Sequence, residues 1–142
     1  AVHPAGRRVT AVADWDIRFA QARGEVVAID PSARARVARQ AAARGLAVVA
    51  VDLRAARDPA RVLAAFAEAL RFPAYFGHNW DALEECLTDL AWLPAPGYAV
   101  LIAHAAADAE LAGARDSLVY AARAWGARGV PFWALLVAEP PG

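Results

Sequence analysis

The amino-acid sequence predicts an α/β protein, with a small parallel β-sheet of three strands, plus a candidate fourth, packed with helices. Two observations lead there. Short, nearly continuous apolar runs at 46–53 (LAVVAVDL), 98–103 (YAVLIA) and 131–137 (PFWALLV) alternate with longer stretches whose apolar residues recur at helical spacing. Twice an Asp-Pro pair, Asp30-Pro31 and Asp58-Pro59, follows such a run and combines a capping carboxylate with a proline suited to the first helical position. Strands alternating with helices imply a mainly parallel sheet joined by right-handed crossovers. The 142 residues fit one ordinary domain of about 100–150 residues.

Residues 1–23 carry no clean period, and Asp14-Trp15-Asp16-Ile17 reads as a short edge strand or an arm lying on the domain. Residues 25–29 (EVVAI) are the candidate fourth strand. A helix then runs from Asp30-Pro31 to about Arg44 and stops at Gly45. The run at 46–53 has the continuous apolar character of a parallel strand covered on both faces. After Asp58-Pro59, the residues Val62, Leu63, Phe66 and Leu70 mark one buried helical face. Residues 72–78 form a loop broken by Pro73 and Gly77. Asn79 suits the N-cap of a helix from Trp80 to about Leu90, closed by Trp92-Leu93-Pro94 and Pro96-Gly97. A strand at 98–103 leads to a long helix from about Asp108 to Arg128, with Leu111, Leu118, Ala122 and Trp125 on one side. Gly129 ends it, and 131–137 is the last strand. The expected organisation is an arm plus an extra β-α unit over 1–45, followed by the main unit over 46–142.

Charge and cysteine content narrow the function classes. Lysine is absent, which together with the alanine bias points to a GC-rich bacterial genome. The net charge of zero hides an asymmetry: residues 1–45 hold eight arginines against four acids, and residues 46–142 hold seven arginines against eleven acids. A balanced total argues against direct nucleic-acid binding, which needs clustered positive charge. One cysteine cannot form an internal disulfide, no apolar run reaches the roughly 18 residues a membrane helix needs, and no basic-then-apolar leader opens the chain. The expectation is a cytoplasmic protein that does not engage membranes.

The helix at 80–90 is the most informative stretch. Leu83, Cys86, Leu87 and Leu90 share one face, which must be core, while Asp81, Glu84, Glu85, Thr88 and Asp89 share the other. Asp81 and Glu85 lie one turn apart, as do Glu85 and Asp89, and no arginine within the helix neutralises them. Like charges at that spacing cost a few tenths of a kcal/mol per pair. The pattern alone fits either a solvated face or a docking surface for a cationic partner. Tyr75, Phe76 and Trp80 stand directly beside the acids, as aromatic residues do at the centres of interfaces.

Tyr75-Phe76-Gly77-His78-Asn79-Trp80-Asp81-Ala82-Leu83-Glu84-Glu85-Cys86-Leu87-Thr88 closely resembles the loop and helix that define the barstar family, and the resemblance extends over about residues 46–137. It implies a barstar-like fold and a non-catalytic, intracellular inhibitor or antitoxin. Its acidic helix and aromatic loop would occlude the active site of a basic microbial ribonuclease, the carboxylates standing in for RNA phosphates. By position, the resemblance implies partner binding by Tyr75, Asn79, Trp80, Asp81, Glu84, Glu85 and Thr88. Tyr75 would lie near the nuclease's catalytic histidine, and Glu85 would hold the most important place in its basic cluster. Three departures stand out: Glu85 replaces the shorter aspartate of the best-known member, Glu84 replaces its tryptophan, and Ala124 and Arg128 occupy the places of a secondary acidic contact. The alternative is a barstar-like adaptor or regulatory module for another basic protein.

An enzyme finds little support. There is no Gly-rich phosphate loop, CxxC or HExxH, so neither cofactor nor metal is expected. His3 lies in the N-terminal arm, His104 follows a strand end, and His78, with Asp81 three residues on, reads as a loop residue at an interface rim more readily than as half of an acid–base pair. Cys86, on the apolar side of its helix, reads as inert packing. A small-molecule enzyme working at the carboxyl ends of the strands would have only Asp52 and His104 to use.

Overall fold

The structure, a computed structural model, describes residues 12–105 and 109–139. In chain order the elements are α1 (Val12–Phe19), β1 (Val26–Ile29), α2 (Arg34–Ala43), β2 (Ala47–Asp52), α3 (Pro59–Leu70), α4 (Trp80–Asp89), β3 (Tyr98–His104), α5 (Ala109–Gly126) and β4 (Phe132–Ala138). The four strands form one all-parallel sheet in the order β1-β4-β3-β2. The expected α/β class and parallel sheet are therefore observed, with residues 25–29 supplying the fourth strand. His3 and the expected helix start at Asp108 lie outside the described residues.

Period-two alternation along the inner strands divides the core into two layers. Tyr98, Val100 and Ile102 of β3, with Phe132, Ala134 and Leu136 of β4, face α3, α4 and α5. Ala99 and Leu101 of β3, with Trp133, Leu135 and Val137 of β4, face α1 and α2. The topology explains the split. From β1 the chain crosses to the far edge at β2, then returns through β3 to β4, so crossovers of one hand place their helices on opposite faces.

Both Asp-Pro starts behave as the sequence predicts. Asp30 accepts from the Ser32 amide at 2.8 Å and opens one 3-10 turn, Pro31–Ala33, before α2. Asp58 accepts from the Arg61 amide at 2.9 Å at the head of α3. Gly45, just past α2, has φ +83°, where a side chain would be strained.

Two expectations need correction. The segment containing Asp14-Trp15-Asp16-Ile17 is neither strand nor arm but part of helix α1. Trp15 and Phe19, one turn apart, are buried and pack edge-on against Trp133 with ring centroids 5.4 and 5.7 Å away. The Arg18 guanidinium lies 4.7 Å above the Trp15 ring. Strand β2 is not covered on both faces: Val51 is buried beneath α3, whereas Val48, Ala50 and Asp52 face outward. The second helical layer covers β1, β4 and β3 and stops short of this edge.

Trp15→Ala is expected to cost about 3–5 kcal/mol in denaturant unfolding, the range for deleting a large buried aromatic. Ile17→Ala, at a side chain 63% exposed on the same helix, should stay within about 0.5 kcal/mol of the parent.

Candidate functional site

The site begins with the burial of one side of α4. Leu83, Cys86 and Leu87 are shielded from water together with the capping residue Leu90, and this fixes the helix's rotation about its axis. Asp81, Glu85 and Asp89 are consequently exposed, with Glu84 and Thr88 half-buried at the flank. Among the described residues, none of the four carboxylates of α4 forms an ion pair, whereas Asp16, Asp52, Asp58 and Glu139 all do. Burial of Cys86, reinforced by Asp89 and Glu85, pushes its thiol pKa up, so it stays protonated packing.

Both ends of α4 are tied. At its head the Asn79 side-chain oxygen accepts from the Ala82 amide at 2.7 Å. Toward its tail Arg128, from the turn that follows α5, donates to the Thr88 carbonyl at 2.7 Å while its guanidinium sits 3.9 Å from the Trp125 ring centroid. A cation thus meets the negative pole of the helix without sitting on its acidic face. The Trp125 indole donates to the Leu87 carbonyl at 2.7 Å, so Leu87 and Thr88 at this end are held by bonds to their carbonyls, and Leu90 just beyond takes the αL conformation.

The residues singled out from the sequence do gather around this helix. Tyr75 is 71% exposed and borders a shallow hollow with Asn79, Asp81 and Glu85. Partial desolvation, and then the nearby Asp89 carboxylate, raise its hydroxyl pKa above the ordinary value, so it remains a proton donor. Phe76 is buried against Phe72, at 4.9 Å between ring centroids. His78 has φ +55° and its Nδ1 lies 3.1 Å from the Phe76 carbonyl, which folds the loop back on itself. Trp80 is half-buried, lying so close to Gly113 of α5 that an added Cβ would come within 2.9 Å of the indole. The Thr88 hydroxyl donates to the Glu84 carbonyl at 2.8 Å.

Sequence reasoning passed over two residues, Tyr120 and Gly113, and saw in Arg128 only a missing acid. Tyr120 of α5, 53% exposed, borders a second hollow with Asp81, Glu84, Glu85 and Thr88. Gly113 makes room for Trp80, and Arg128 has the tethering role just described. Only Tyr120 carries a local signal: it is an aromatic residue off the stripe Leu118, Ala122 and Trp125 that marks the buried side of α5.

The carboxyl ends of the strands hold a self-neutralising cluster. Arg54 binds Asp52 through Nε and Nη2, both at 2.9 Å, and reaches Glu139 at 3.7 Å, while Arg34 reaches Glu139 at 3.5 Å. The hydrogen bonds from Arg54 lower the Asp52 pKa to about 2, which makes it a poor base near neutrality. His104 Nδ1 lies 2.6 Å from the Ala105 carbonyl. Among the described residues no group of side chains could hold a metal ion, and no helix is long and apolar enough to cross a membrane.

Asn79→Ala should cost about 1 kcal/mol of stability through the lost cap, and Asn79→Asp should restore it, as read by thermal or denaturant unfolding. Because the folded pKa of Asp52 lies below its unfolded value of 3.8, the Arg54 pairing contributes fully above that pH and is lost as pH falls toward 2. Arg54→Gln should therefore move the Asp52 pKa up toward 3.8 in a carboxyl NMR titration.

Compared with known proteins, residues 46–137 match the family model described as Barstar (barnase inhibitor). No curated protein and no solved structure matches the chain.

Proposed function

The chain belongs to the barstar family, and from that premise we propose that it inhibits a basic microbial ribonuclease by laying α4 and its preceding loop across the enzyme's active site. The observation that carries this reading is the set of four carboxylates on α4, held outward by the burial of the opposite face and lacking any ion-pair partner among the described residues. A solvated helix gains stability from an interspersed cation. This one forgoes it along the whole exposed ridge, and the cation it does use, Arg128, acts on the backbone at its tail.

In the proposed complex Asp81 and Glu85 face the guanidinium and ammonium groups that would otherwise bind RNA phosphates. Bidentate arginine–carboxylate pairs are the strongest contacts available to such a surface. Tyr75, exposed and protonated, offers its ring face and hydroxyl to the nuclease's catalytic side chains. Asn79 and Trp80 shape the floor of the contact, and Glu84 and Thr88 extend it toward α5. Because the Asn79 side-chain oxygen is committed to the helix cap, its amide nitrogen, 3.5 Å from the Gly77 carbonyl, is the part left for a partner. Glu85 has one more methylene than the aspartate of the best-known member, so the cognate nuclease would hold its basic cluster slightly farther from the helix. The inhibitor would act in the bacterial cytoplasm as the antitoxin to a secreted nuclease. Residues 46–142 would form the barstar-like unit, and residues 1–45 an addition that supplies the fourth strand and covers the second face of the sheet over β1, β4 and β3.

A fluorogenic RNA-cleavage assay against a panel of basic microbial ribonucleases, barnase included, tests the reading. Stoichiometric inhibition is expected, weakening roughly 30-fold or more in Glu85→Ala, since truncating one partner of a desolvated charge pair strands the other. Asp81→Ala should weaken it as well. Association should slow as salt is raised from 50 to 500 mM, because steering between exposed charges is screened. If both alanine variants inhibit as well as the parent, α4 is not the docking helix.

A further inference from the structure

We infer that Tyr120 of α5 belongs to the partner-binding face and helps select the ribonuclease, by giving one of its arginine side chains an aromatic wall to stack on. The inference rests on the reading of α4 as the docking helix. It extends the face across the α4–α5 seam, to a position where the family resemblance implies no contact.

Helical geometry places two exposed tyrosines on opposite flanks of the acidic ridge. Successive residues turn about 100° around an α-helix, so with Asp81 and Glu85 along the crest, Ala82 and Cys86 fall to one side and Glu84 and Thr88 to the other. Tyr75 borders the hollow that includes Ala82 and Cys86, and Tyr120 borders the hollow that includes Glu84 and Thr88. Tyr75 and Tyr120 are also the aromatic members of a short set of exposed large apolar side chains, with Ile17 and Val48 lying on other elements.

Packing does not require a tyrosine at this position. The buried stripe of α5 comprises Ala114, Ser117, Leu118, Ala121, Ala122 and Trp125. The Tyr120 ring stands outside it, 53% exposed, and its hydroxyl makes no hydrogen bond among the described residues. An exposed ring beside carboxylates is complementary to a guanidinium, which can stack on the ring while its N–H groups reach the acids. The position one turn farther along α5 is Ala124, and Arg128 is engaged with α4 and Trp125, so neither competes with a partner for the Tyr120 ring. A nuclease presenting arginine at this flank gains from Tyr120. One that relies on a second carboxylate there does not.

The test uses the full chain and the ribonuclease it inhibits most tightly in the panel above, comparing inhibition constants for Tyr120→Ala, Tyr120→Leu, Tyr120→Phe and Glu85→Ala after confirming unchanged melting temperatures. Loss of about tenfold or more in Tyr120→Ala and Tyr120→Leu, with Tyr120→Phe within about twofold of the parent, is the expected result and identifies the ring face as the contact. If Glu85→Ala weakens inhibition while Tyr120→Ala stays within twofold, the inference about Tyr120 is overturned and the docking helix stands. If Tyr120→Leu inhibits as well as the parent, apolar area and not the ring is what the partner reads, which also overturns it. Failure of the parent to inhibit any nuclease of the panel overturns both readings together.

Discussion

Leu83, Cys86 and Leu87 are removed from water between α4 and the α3–α5 side of the sheet, and Leu90 closes the same patch. Burying a leucine side chain is worth about 1.5–3 kcal/mol, while each like-charge pair on the far side costs a few tenths. The apolar side therefore sets the rotation of the helix, and the carboxylates go where that rotation sends them. Everything the candidate site offers follows from this asymmetry: the exposed ridge, the flanking tyrosines and the seam with α5. Polar substitutions on the ridge can change what is recognised while leaving the helix seated.

The inner strands illustrate how much was legible in the sequence. Residues 98–103 and 131–137 are apolar throughout because β3 and β4 are covered on both faces, and such runs are distinctive in any sequence. The Asp-Pro helix starts and the Asn79 cap were legible because capping is local chemistry, decided within three residues. Helix α1 was hidden because acids alternating with Trp15 and Ile17 mimic a strand period over so short a stretch. What makes it a helix is Trp133, far away in sequence, against which Trp15 and Phe19 can both pack only one helical turn apart. Strand β2 misled in the opposite sense: valine and alanine look equally suited to a covered or an open face, and only the extent of α2 decides between them.

The site divides along the same line. The acidic face and its neighbouring aromatics could be read from spacing, since they lie on one continuous segment. The contributions of Gly113 and Arg128 could not, because each acts across the α4–α5 seam, 33 positions from Trp80 and 40 from Thr88, and Tyr120 shows in the sequence only as an aromatic residue off the buried stripe of its helix. Arg128 shows why charge counting along the chain falls short. From the sequence it marks only the absence of an acid, whereas in the fold it is the hydrogen-bond donor that holds the tail of the acidic helix.

The tethering of α4 also bears on the thermodynamics of association. With Asn79 holding the first turn and Arg128 and Trp125 holding carbonyls of the last, the backbone of the helix has little freedom left to lose when a partner arrives. What remains to be frozen is the rotamers of a few carboxylates and the two flanking tyrosines, each costing about 0.5–1.5 kcal/mol. A surface prepared in this way meets its partner as a nearly rigid body, and the entropy of ordering the backbone has already been spent in folding.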